Sequence, residues 1–351
     1  MPKGKGRQRK RTRKRTWDAE QDVDAALREP RRVRGRETGV GAPVDVECDL
    51  SECFTDVEPN GRVISPYGVL AFVLTEEGER LCRVTDSLTD GKTSVLAPGD
   101  EVRVEQCDDG PTVTAVRRRH TTLSRPAIYK AREQVFAANI DLLVVVTSTA
   151  KPPFRAGLVD RYLIAAEVGG VGMLLCVNKI DLAAEPDEVD GYRALGLPVV
   201  NTSCVDGAGI DDLREALRGK LSILAGQSGT GKSSLINSMD PTLRLATRQV
   251  SDDTQKGRHA TTASRIYQLD GGIRIIDTPG IRQLGLWGVT SQELDYYFPE
   301  IARFAAECRF RNCVHDREPD CAVRSAVESG QIAAHRYESY HRIRRSLEEE
   351  V

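Results

Sequence analysis

The sequence GQSGTGKS at residues 226–233 follows the apolar run LSILA and precedes SLINSM, which has the composition of a helix. It matches the pattern GxxxxGK[ST], in which glycines let the backbone wrap a phosphate chain so that N–H groups and a helix N-terminus face its oxygens. A glycine-rich turn could carry the same letters, but the strand–loop–helix context favours a nucleotide site. We expect Lys232 to contact the β- and γ-phosphates and the Ser233 hydroxyl to bind Mg²⁺. The nucleotide-binding residues predicted here are Gly226, Gln227, Ser228, Gly229, Thr230, Gly231, Lys232, Ser233 and Ser234.

A second motif, DTPG at residues 277–280, follows the apolar run IRII and begins 45 residues after Lys232. The Asp277 carboxylate can hold Mg²⁺ through water, and the Gly280 N–H can contact a γ-phosphate. Alone, DTPG is an ordinary turn, and its distance from the first motif is what makes it specific. We therefore predict that Asp277 and Gly280 belong to the same site.

A third motif, NKID at residues 178–181, ends the apolar run MLLCV and predicts selectivity for guanine. The Asp181 carboxylate can accept hydrogen bonds from both N1–H and the N2 amino group of guanine, a donor pair that adenine lacks. We expect Asn178 to connect this loop to the phosphate-binding segment and the Lys179 stem to cover the base. The run TSC ends the next apolar strand and adds two residues whose backbone N–H could reach guanine O6, Ser203 and Cys204.

The order of the three motifs is unusual, because the base-reading loop precedes the phosphate-binding loop, which precedes DTPG. Apolar runs of strand length alternate with helix-like runs such as RAGLVDRYLIAAEVGG, which predicts a parallel sheet with helices on both faces. All these loops would lie at the carboxyl ends of parallel strands, so they can meet in space if the sheet is circularly permuted. The predicted fold of residues 123–290 is therefore an α/β, circularly permuted P-loop GTPase.

Residues 60–116 have a different pattern, with alternating runs such as DEVRVEQ and TVTAVR separated by turn signals such as TDGKT and APGD. Four or five short strands at this spacing predict a small β-barrel. An oligonucleotide-binding (OB) barrel fits the size, although an SH3-like barrel would give the same pattern. The predicted organisation is a basic disordered tail at 1–17, a linker at 18–58, an OB-type barrel at 59–122, the GTPase domain at 123–290 and, at 291–351, a helical module that lacks strand signals and contains a Cys-rich loop.

The net charge of −2 conceals a strongly basic start: residues 1–17 carry nine Lys and Arg and no acid, which leaves −11 for the rest. Such a block cannot bury enough apolar surface to fold alone. Because Lys and Arg neutralise phosphates without reading sequence, we expect nucleic-acid contact, with a solubilising tail as the alternative.

The sequence has no membrane-length apolar run or signal-peptide core. Its nine cysteines are odd in number and unevenly spaced, which does not suggest disulfides. We expect a cytoplasmic protein with no membrane partner.

The spacing C-x4-C-x-H-x5-C places Cys308, Cys313, His315 and Cys321 within fourteen residues. Three thiolates and one imidazole suit a closed, four-coordinate structural Zn²⁺ site with no open position for catalysis. Buried structural thiols are the alternative, but such density in a polar loop favours a metal. We therefore predict that 291–351 is a helical zinc-binding module with one structural zinc ion, in addition to the Mg²⁺ that accompanies GTP.

With these motifs, residues from about 60 to 345 resemble the ribosome small subunit-dependent GTPase family (RsgA, also called YjeQ). The resemblance rests on the permuted motif order, on ANID (138–141), PPF…DRYLIAAE (152–167) and GRHATT (257–262), and on the Cys/His motif followed by AVRSAV. It implies an OB barrel, a permuted GTPase and a zinc-binding tail, in an enzyme that acts on the small ribosomal subunit and its rRNA during late maturation. The basic tail lies outside the shared region.

One departure from the family concerns Mg²⁺: Ala260 stands where the family usually has Thr, so Thr261 or Thr262 would close over Mg²⁺ and the γ-phosphate. Ile281 stands where Ras-like enzymes have a Gln that orients water, and an apolar side chain cannot do so. His259 could, because a neutral imidazole can accept a proton from water, and the alternative is a His that contacts RNA or packs in the loop. The predicted catalytic residues are His259 and Lys232, and the predicted Mg²⁺ ligands are Ser233, Thr261, Thr262 and Asp277.

Three classes of function compete. The leading one is a GTPase that binds the small ribosomal subunit and hydrolyses GTP to GDP and phosphate with stimulation by the subunit, and we expect it to be a monomer. The second is a GTP-gated RNA-binding module with little catalysis of its own. The third, an ATP-dependent metabolic kinase, is disfavoured by Asp181.

Overall fold

The computed structural model describes residues 53–89, 94–127, 130–243, 265–277 and 285–349, all within the compact unit Asp49–Val351. The predicted tail, and the linker as far as residue 52, lie outside these ranges. No helix in the ranges given is long and apolar enough to cross a membrane.

The N-terminal module is a small barrel of short strands. Strands β2 to β6 close into a ring, because β5 pairs with β6 as well as with β2. Alternating side chains point inward, and Val63, Val73 and Val113 are completely buried. The strands are β1 (Phe54–Thr55), β2 (Gly61–Tyr67), β3 (Leu70–Thr75), β4 (Gly78–Val84), β5 (Glu101–Cys107) and β6 (Gly110–Arg117). The predicted small barrel is confirmed, with five strands in the ring and β1 added beside β6.

A six-stranded sheet forms the centre of the next module, in the order β11–β10–β9–β12–β14–β13. Neighbouring strands run parallel except at one edge, where β13 is antiparallel to β14. The apolar run of β9 is buried at every position, as expected of a strand covered on both faces. The strands are β9 (Leu142–Ser148), β10 (Gly172–Asn178), β11 (Val199–Thr202), β12 (Leu221–Ala225), β13 (Arg265–Gln268) and β14 (Arg274–Asp277).

Helices cover both faces of this sheet and confirm the predicted α/β architecture. The helices are α1 (Ala156–Gly169), α2 (Glu188–Ala194), α3 (Ile210–Leu217) and α4 (Lys232–Met239). Helices α1 and α2 pack on one face, where Tyr162 and Tyr192 are buried in the core. Helices α3 and α4 cover the other face through residues such as Leu213 and Leu235.

The position of β12 explains the unusual motif order. This strand leads into residues 226–233 and lies in the middle of the sheet, with β14 and β13 on one side and β9, β10 and β11 on the other. In a chain that began at β12, β13 and β14 would follow and β9, β10 and β11 would come last. Here β9, β10 and β11 precede β12 in the chain, so the sheet has the arrangement of a circularly permuted P-loop domain.

A two-stranded antiparallel ribbon, β7 (Thr122–Ala127) and β8 (Lys130–Ala138), links the barrel to the sheet and was not predicted. Pro126 and the charged stretch KAREQ interrupt the alternation that marks a strand, and the pairing contains register shifts. Leu123 and Ala137 reach the core beneath α1. The connection is therefore part of the packed structure.

The C-terminal module is helical, as predicted, and no strand occurs among its described residues, 291–349. It contains a 3₁₀ turn (Leu294–Tyr297) and the helices α5 (Pro299–Ala305), α6 (Ala322–Glu328) and α7 (Ala334–Glu349). Its core includes Phe298, Val323 and Tyr340, and Ile164 of α1 is buried in the same cluster. The C-terminal module therefore packs through α1 on the module that contains the six-stranded sheet.

A buried ionic cluster crosses that contact. Arg336 of α7, whose side chain is 4% exposed, hydrogen-bonds the completely buried carboxylate of Asp160 of α1. Its Nε donates to Glu300 Oε1 at 2.5 Å, and its guanidinium lies 4.5 Å from the centroid of the Phe298 ring. The Tyr192 hydroxyl donates to Asp160 Oδ1 at 2.8 Å. Because a buried charge without its partner is costly, this cluster favours a single docking geometry.

Candidate functional site

The phosphate-binding loop, residues 226–233, leaves β12 at the carboxyl edge of the sheet and enters α4 at Lys232. Gly226 has a φ of +131°, and a Cβ there would lie 2.1 Å from the Val146 carbonyl oxygen. Gly231 has a φ of +98°, and its Cβ would lie 2.3 Å from Asn178 Nδ2. Both positions require glycine, because no side chain fits there. The loop therefore passes closely over the sheet edge and ends at a helix N-terminus, an arrangement that suits phosphate oxygens.

Lys232 folds back over this loop. Its Nζ donates to the carbonyl oxygens of Gly226 at 2.8 Å and Gln227 at 2.9 Å. Asp277 ends β14, and burial raises the pKa of its carboxyl group while the nearby Lys232 ammonium opposes that rise. Ser233 and Ser234 are half-buried in the first turn of α4. The structure thus brings together the ammonium and carboxylate that the sequence assigns to phosphate and Mg²⁺.

The base loop, residues 178–181, is attached directly to the phosphate-binding loop. Asn178 Nδ2 donates to the Thr230 carbonyl oxygen at 2.8 Å, and its Oδ1 accepts from the Thr202 hydroxyl at 3.1 Å. The connection expected of Asn178 is present. Lys179 makes a second connection, because its Nζ donates to the Gly229 carbonyl oxygen at 2.6 Å.

Asp181 is exposed in the loop that follows β10. In the neighbouring loop the Ser203 N–H donates to the Ala208 carbonyl oxygen at 3.0 Å, and the Val205 N–H donates to Ser203 Oγ at 3.2 Å. Because these two amides already have partners within the loop, the N–H of the half-buried Cys204 is the better candidate donor to a base.

Four ligand atoms converge in the C-terminal module. Cys308, Cys313, His315 and Cys321 each offer one atom, and these atoms lie within 4.8 Å of one another. His315 Nδ1 is 3.5 Å from Sγ of both Cys308 and Cys321, and the two sulfurs are 3.9 Å apart. Bonds of about 2.3 Å to sulfur and about 2.1 Å to nitrogen place tetrahedral zinc ligands roughly 3.5–3.8 Å apart. The cluster therefore fits one tetrahedral metal ion and could hold zinc.

Comparison with known proteins gives a consistent result. The sequence pattern of the RsgA GTPase family matches residues 116–287. The Small ribosomal subunit biogenesis GTPase RsgA of Chlorobaculum parvum is 44% identical over 306 residues, which cover 83% of this chain and 98% of the relative. The protein of the same name from Shewanella oneidensis is 36% identical over 317 residues, covering 86% and 87%.

The chain belongs to the RsgA GTPase family. It is a GTP-hydrolysing enzyme, and the resemblance inferred from its motifs is confirmed.

Solved structures of similar proteins agree with this RsgA assignment. YjeQ from Thermotoga maritima superimposes with a TM-score of 0.63 at 32% identity, covering 82% of this chain and 98% of YjeQ. YloQ, described as a circularly permuted GTPase, gives a TM-score of 0.60 at 28% identity and covers 84% of this chain and 96% of YloQ. The predicted permutation and barrel are confirmed.

Sequence patterns did not indicate that Tyr162 contributes to this site. The Tyr162 hydroxyl, on α1, accepts a hydrogen bond from the Gly226 N–H at 3.2 Å, and the side chain is 1% exposed. Burial raises the pKa of Tyr162 to about 12, so the hydroxyl stays neutral. In the run DRYLIAAE this tyrosine looks like an ordinary core residue of a helix, which is why only the structure shows its contact with the loop.

Four predicted residues of the RsgA site lie outside the described residues, and their roles stay predictions. They are His259, Thr261, Thr262 and Gly280.

Proposed function

We propose that this chain acts in the late maturation of the small ribosomal subunit, hydrolysing GTP to GDP and phosphate with stimulation by that subunit. The observation that carries the GTP-binding part of the proposal is the pair of hydrogen bonds from the base loop to the phosphate-binding loop, Asn178 to Thr230 and Lys179 to Gly229. These hydrogen bonds would hold Asp181 at a fixed distance from the phosphate-binding loop. Such a fixed distance is required if one guanine nucleotide is bound by both its base and its phosphates. The names of the relatives, small ribosomal subunit biogenesis GTPases, support the partner.

In the proposed site, the N–H groups of residues 226–233 and the N-terminus of α4 bind phosphate oxygens. Lys232 exchanges its carbonyl partners for the β- and γ-phosphates, and the Gly280 N–H contacts the γ-phosphate. Asp181 accepts from the guanine edge, and the Cys204 N–H donates to O6.

Ser233, Asp277 and either Thr261 or Thr262 would hold Mg²⁺, which supplies charge neutralisation at the phosphates. His259 would orient the attacking water and accept its proton. Because the subunit is expected to complete the site, turnover without it should be slow.

A single structural zinc would complete the Cys/His cluster, and this loop would then hold its shape mainly through the metal. We further propose module boundaries at residues 59–122, 123–290 and 291–351. The barrel and C-terminal module would contact rRNA, and the basic tail would add phosphate contacts. The protein would work as a cytoplasmic monomer without a membrane partner.

The direct test is GTP turnover with and without purified small ribosomal subunits. We expect slow phosphate release by the protein alone and clear stimulation by the small subunit, with large subunits as the control. Subunit binding that depends on GTP but brings no stimulation would favour a GTP-gated RNA-binding module with little catalysis.

Asp181→Asn should reverse the base preference of the site. Asparagine replaces one carboxylate oxygen by an amino group, which would face a donor of guanine instead of accepting from it. Each charge-assisted bond contributes about 1.5–3 kcal/mol, so GTP affinity should fall about tenfold or more. Xanthosine triphosphate, which presents an acceptor at C2, should bind better than before. Competition against a fluorescent guanine nucleotide measures both effects.

Asp211→Asn is the matched control for this change, because Asp211 is 91% exposed on α3 and pairs with the surface Arg214. We expect its GTP affinity to equal that of the unmodified protein. Unchanged GTP affinity in Asp181→Asn would show that another group reads the base.

A further inference from the structure

A carboxylate outside the Cys/His motif faces the predicted zinc ligand His315. Asp295 lies in the 3₁₀ turn before α5, and its Oδ2 is 3.4 Å from His315 Nε2. The His315 side chain is 1% exposed and that of Asp295 is 34% exposed, so the carboxylate reaches the buried ring from the edge of the module's core. Asp295 is twenty residues from His315 in the chain, so the motif does not include it.

The two nitrogens of His315 have different surroundings. Nδ1 lies 3.5 Å from the sulfurs of Cys308 and Cys321, whereas Nε2 faces Asp295. A neutral imidazole carries one proton, and it can bind a metal only through the nitrogen without that proton. A carboxylate beside Nε2 stabilises the proton there and leaves the Nδ1 lone pair directed at the sulfurs.

Asp295 is itself held in place by α7. The buried Tyr340 hydroxyl donates to Asp295 Oδ1 at 2.5 Å, and Arg344 donates to Tyr340 Oη at 3.3 Å and to the Ser291 carbonyl oxygen at 3.1 Å. Each carboxylate oxygen therefore has its own partner, one in the ligand loop and one in the terminal helix.

The backbone of His315 is fixed from the same helix. Its φ of +63° is a conformation that residues other than glycine rarely adopt, and its carbonyl oxygen accepts a hydrogen bond from the Tyr337 hydroxyl. The ring and the main chain of this ligand are thus both held by groups outside the loop that contains the cysteines.

From this geometry we propose that Asp295 is a positioning residue of the metal centre, which holds the proton on His315 Nε2 and links the metal ligands to α7 through Tyr340. The inference rests on the proposed zinc site. It adds that metal affinity depends on a carboxylate that is not a ligand, and that the metal ligands and the terminal helix support each other.

The test is Asp295→Asn in the full chain, because asparagine keeps the size but loses the charge and can turn a donor toward Nε2. We expect zinc affinity to fall about 10- to 100-fold, the usual effect of losing such a partner. Competition with a chromophoric zinc chelator measures it, and the visible absorption of the cobalt-substituted protein reports whether an imidazole still binds the metal. Asp295→Glu, which keeps a carboxylate, should retain more affinity than Asp295→Asn.

The matched control is Asp320→Asn. Asp320 lies in the ligand loop itself, but its side chain is 67% exposed and pairs with the surface Arg309. Its φ of +56° suits asparagine equally well, so its zinc affinity should not change. Cys313→Ser removes a ligand and shows how far zinc affinity falls when the site itself is damaged.

The outcomes separate the two proposals. If the unmodified protein binds no zinc, the metal site itself is wrong. If it binds one zinc per chain and Asp295→Asn binds it equally well, the positioning role is wrong. If Asp295→Asn stays unfolded at saturating zinc, as judged by circular dichroism, Asp295 acts on folding alone and the proposal is also overturned.

Discussion

Lys232→Ala is expected to lower the rate constant of GTP hydrolysis by about 10²–10³-fold, with or without small ribosomal subunits. The reason is that charge develops on the phosphates in the transition state, and removing one preorganised donor from such a site has an effect of about this size. In the structure the Lys232 ammonium bridges two carbonyl oxygens of the loop at 2.8 and 2.9 Å and is already positioned where phosphates would bind. Single-turnover phosphate release, combined with nucleotide binding, separates loss of chemistry from loss of affinity.

Lys220→Ala is the control. Lys220 lies just before β12, at the opposite end of the strand that leads into the phosphate-binding loop, and its exposed ammonium contacts the Ala216 carbonyl oxygen at 2.8 Å. The same charge is lost but the site is intact, so the rate should stay within about twofold, since surface changes of this kind have small effects. Equal rates for Lys232→Ala and Lys220→Ala would exclude the proposed role of Lys232.

Arg336→Ala should destabilise the protein by about 3–5 kcal/mol, because it leaves the buried Asp160 carboxylate without its cation. Burial raises the pKa of Asp160, and the Arg336 charge is the largest of the effects that oppose this rise. Without Arg336 the carboxyl must either stay charged in the core or take up a proton, and both weaken the contact between α1 and α7. Urea unfolding curves followed by circular dichroism give the change in the free energy of unfolding.

Two further variants test this explanation. Arg324→Ala removes an arginine that is 40% exposed and 4.0 Å from Glu328, and it should change stability by at most about 1 kcal/mol. Adding Asp160→Asn to Arg336→Ala removes the buried charge, so the double variant should regain part of the lost stability. If the double variant loses the sum of the two single effects, the two side chains are not coupled.

The elements that could be predicted from the sequence are those whose conformation depends on residues close together in the chain. The phosphate-binding loop requires glycine at 226 and 231, because both residues have a positive φ and no room for a Cβ. The loop can therefore be recognised from its glycine spacing alone. The end of α1 was equally predictable, because Gly169-Gly170 provides a left-handed residue, and Gly170 has a φ of +66°. The buried parallel strands were predictable because a short continuous apolar run is typical of a strand covered on both faces.

Contacts between distant residues could not be predicted in this way. Asp160 and Arg336 are 176 positions apart, and each looks like a surface residue of an amphipathic helix until the two helices are packed together. Tyr162 and Asp295 were missed for the same reason, since a side chain that supports a site carries no motif of its own. The β7–β8 ribbon was missed because its proline and charges hide the strand pattern.

The permuted order of the sheet also has a consequence for synthesis. Ribosomes make β9 and β10 well before β12, and residues 149–220 separate β9 from the strand that finally pairs with its other edge. At about 5–20 residues per second, that edge stays open for roughly 4–15 seconds. During this interval the nascent chain presents the open edge of an apolar strand, whose unpaired N–H and C=O groups could pair with another chain.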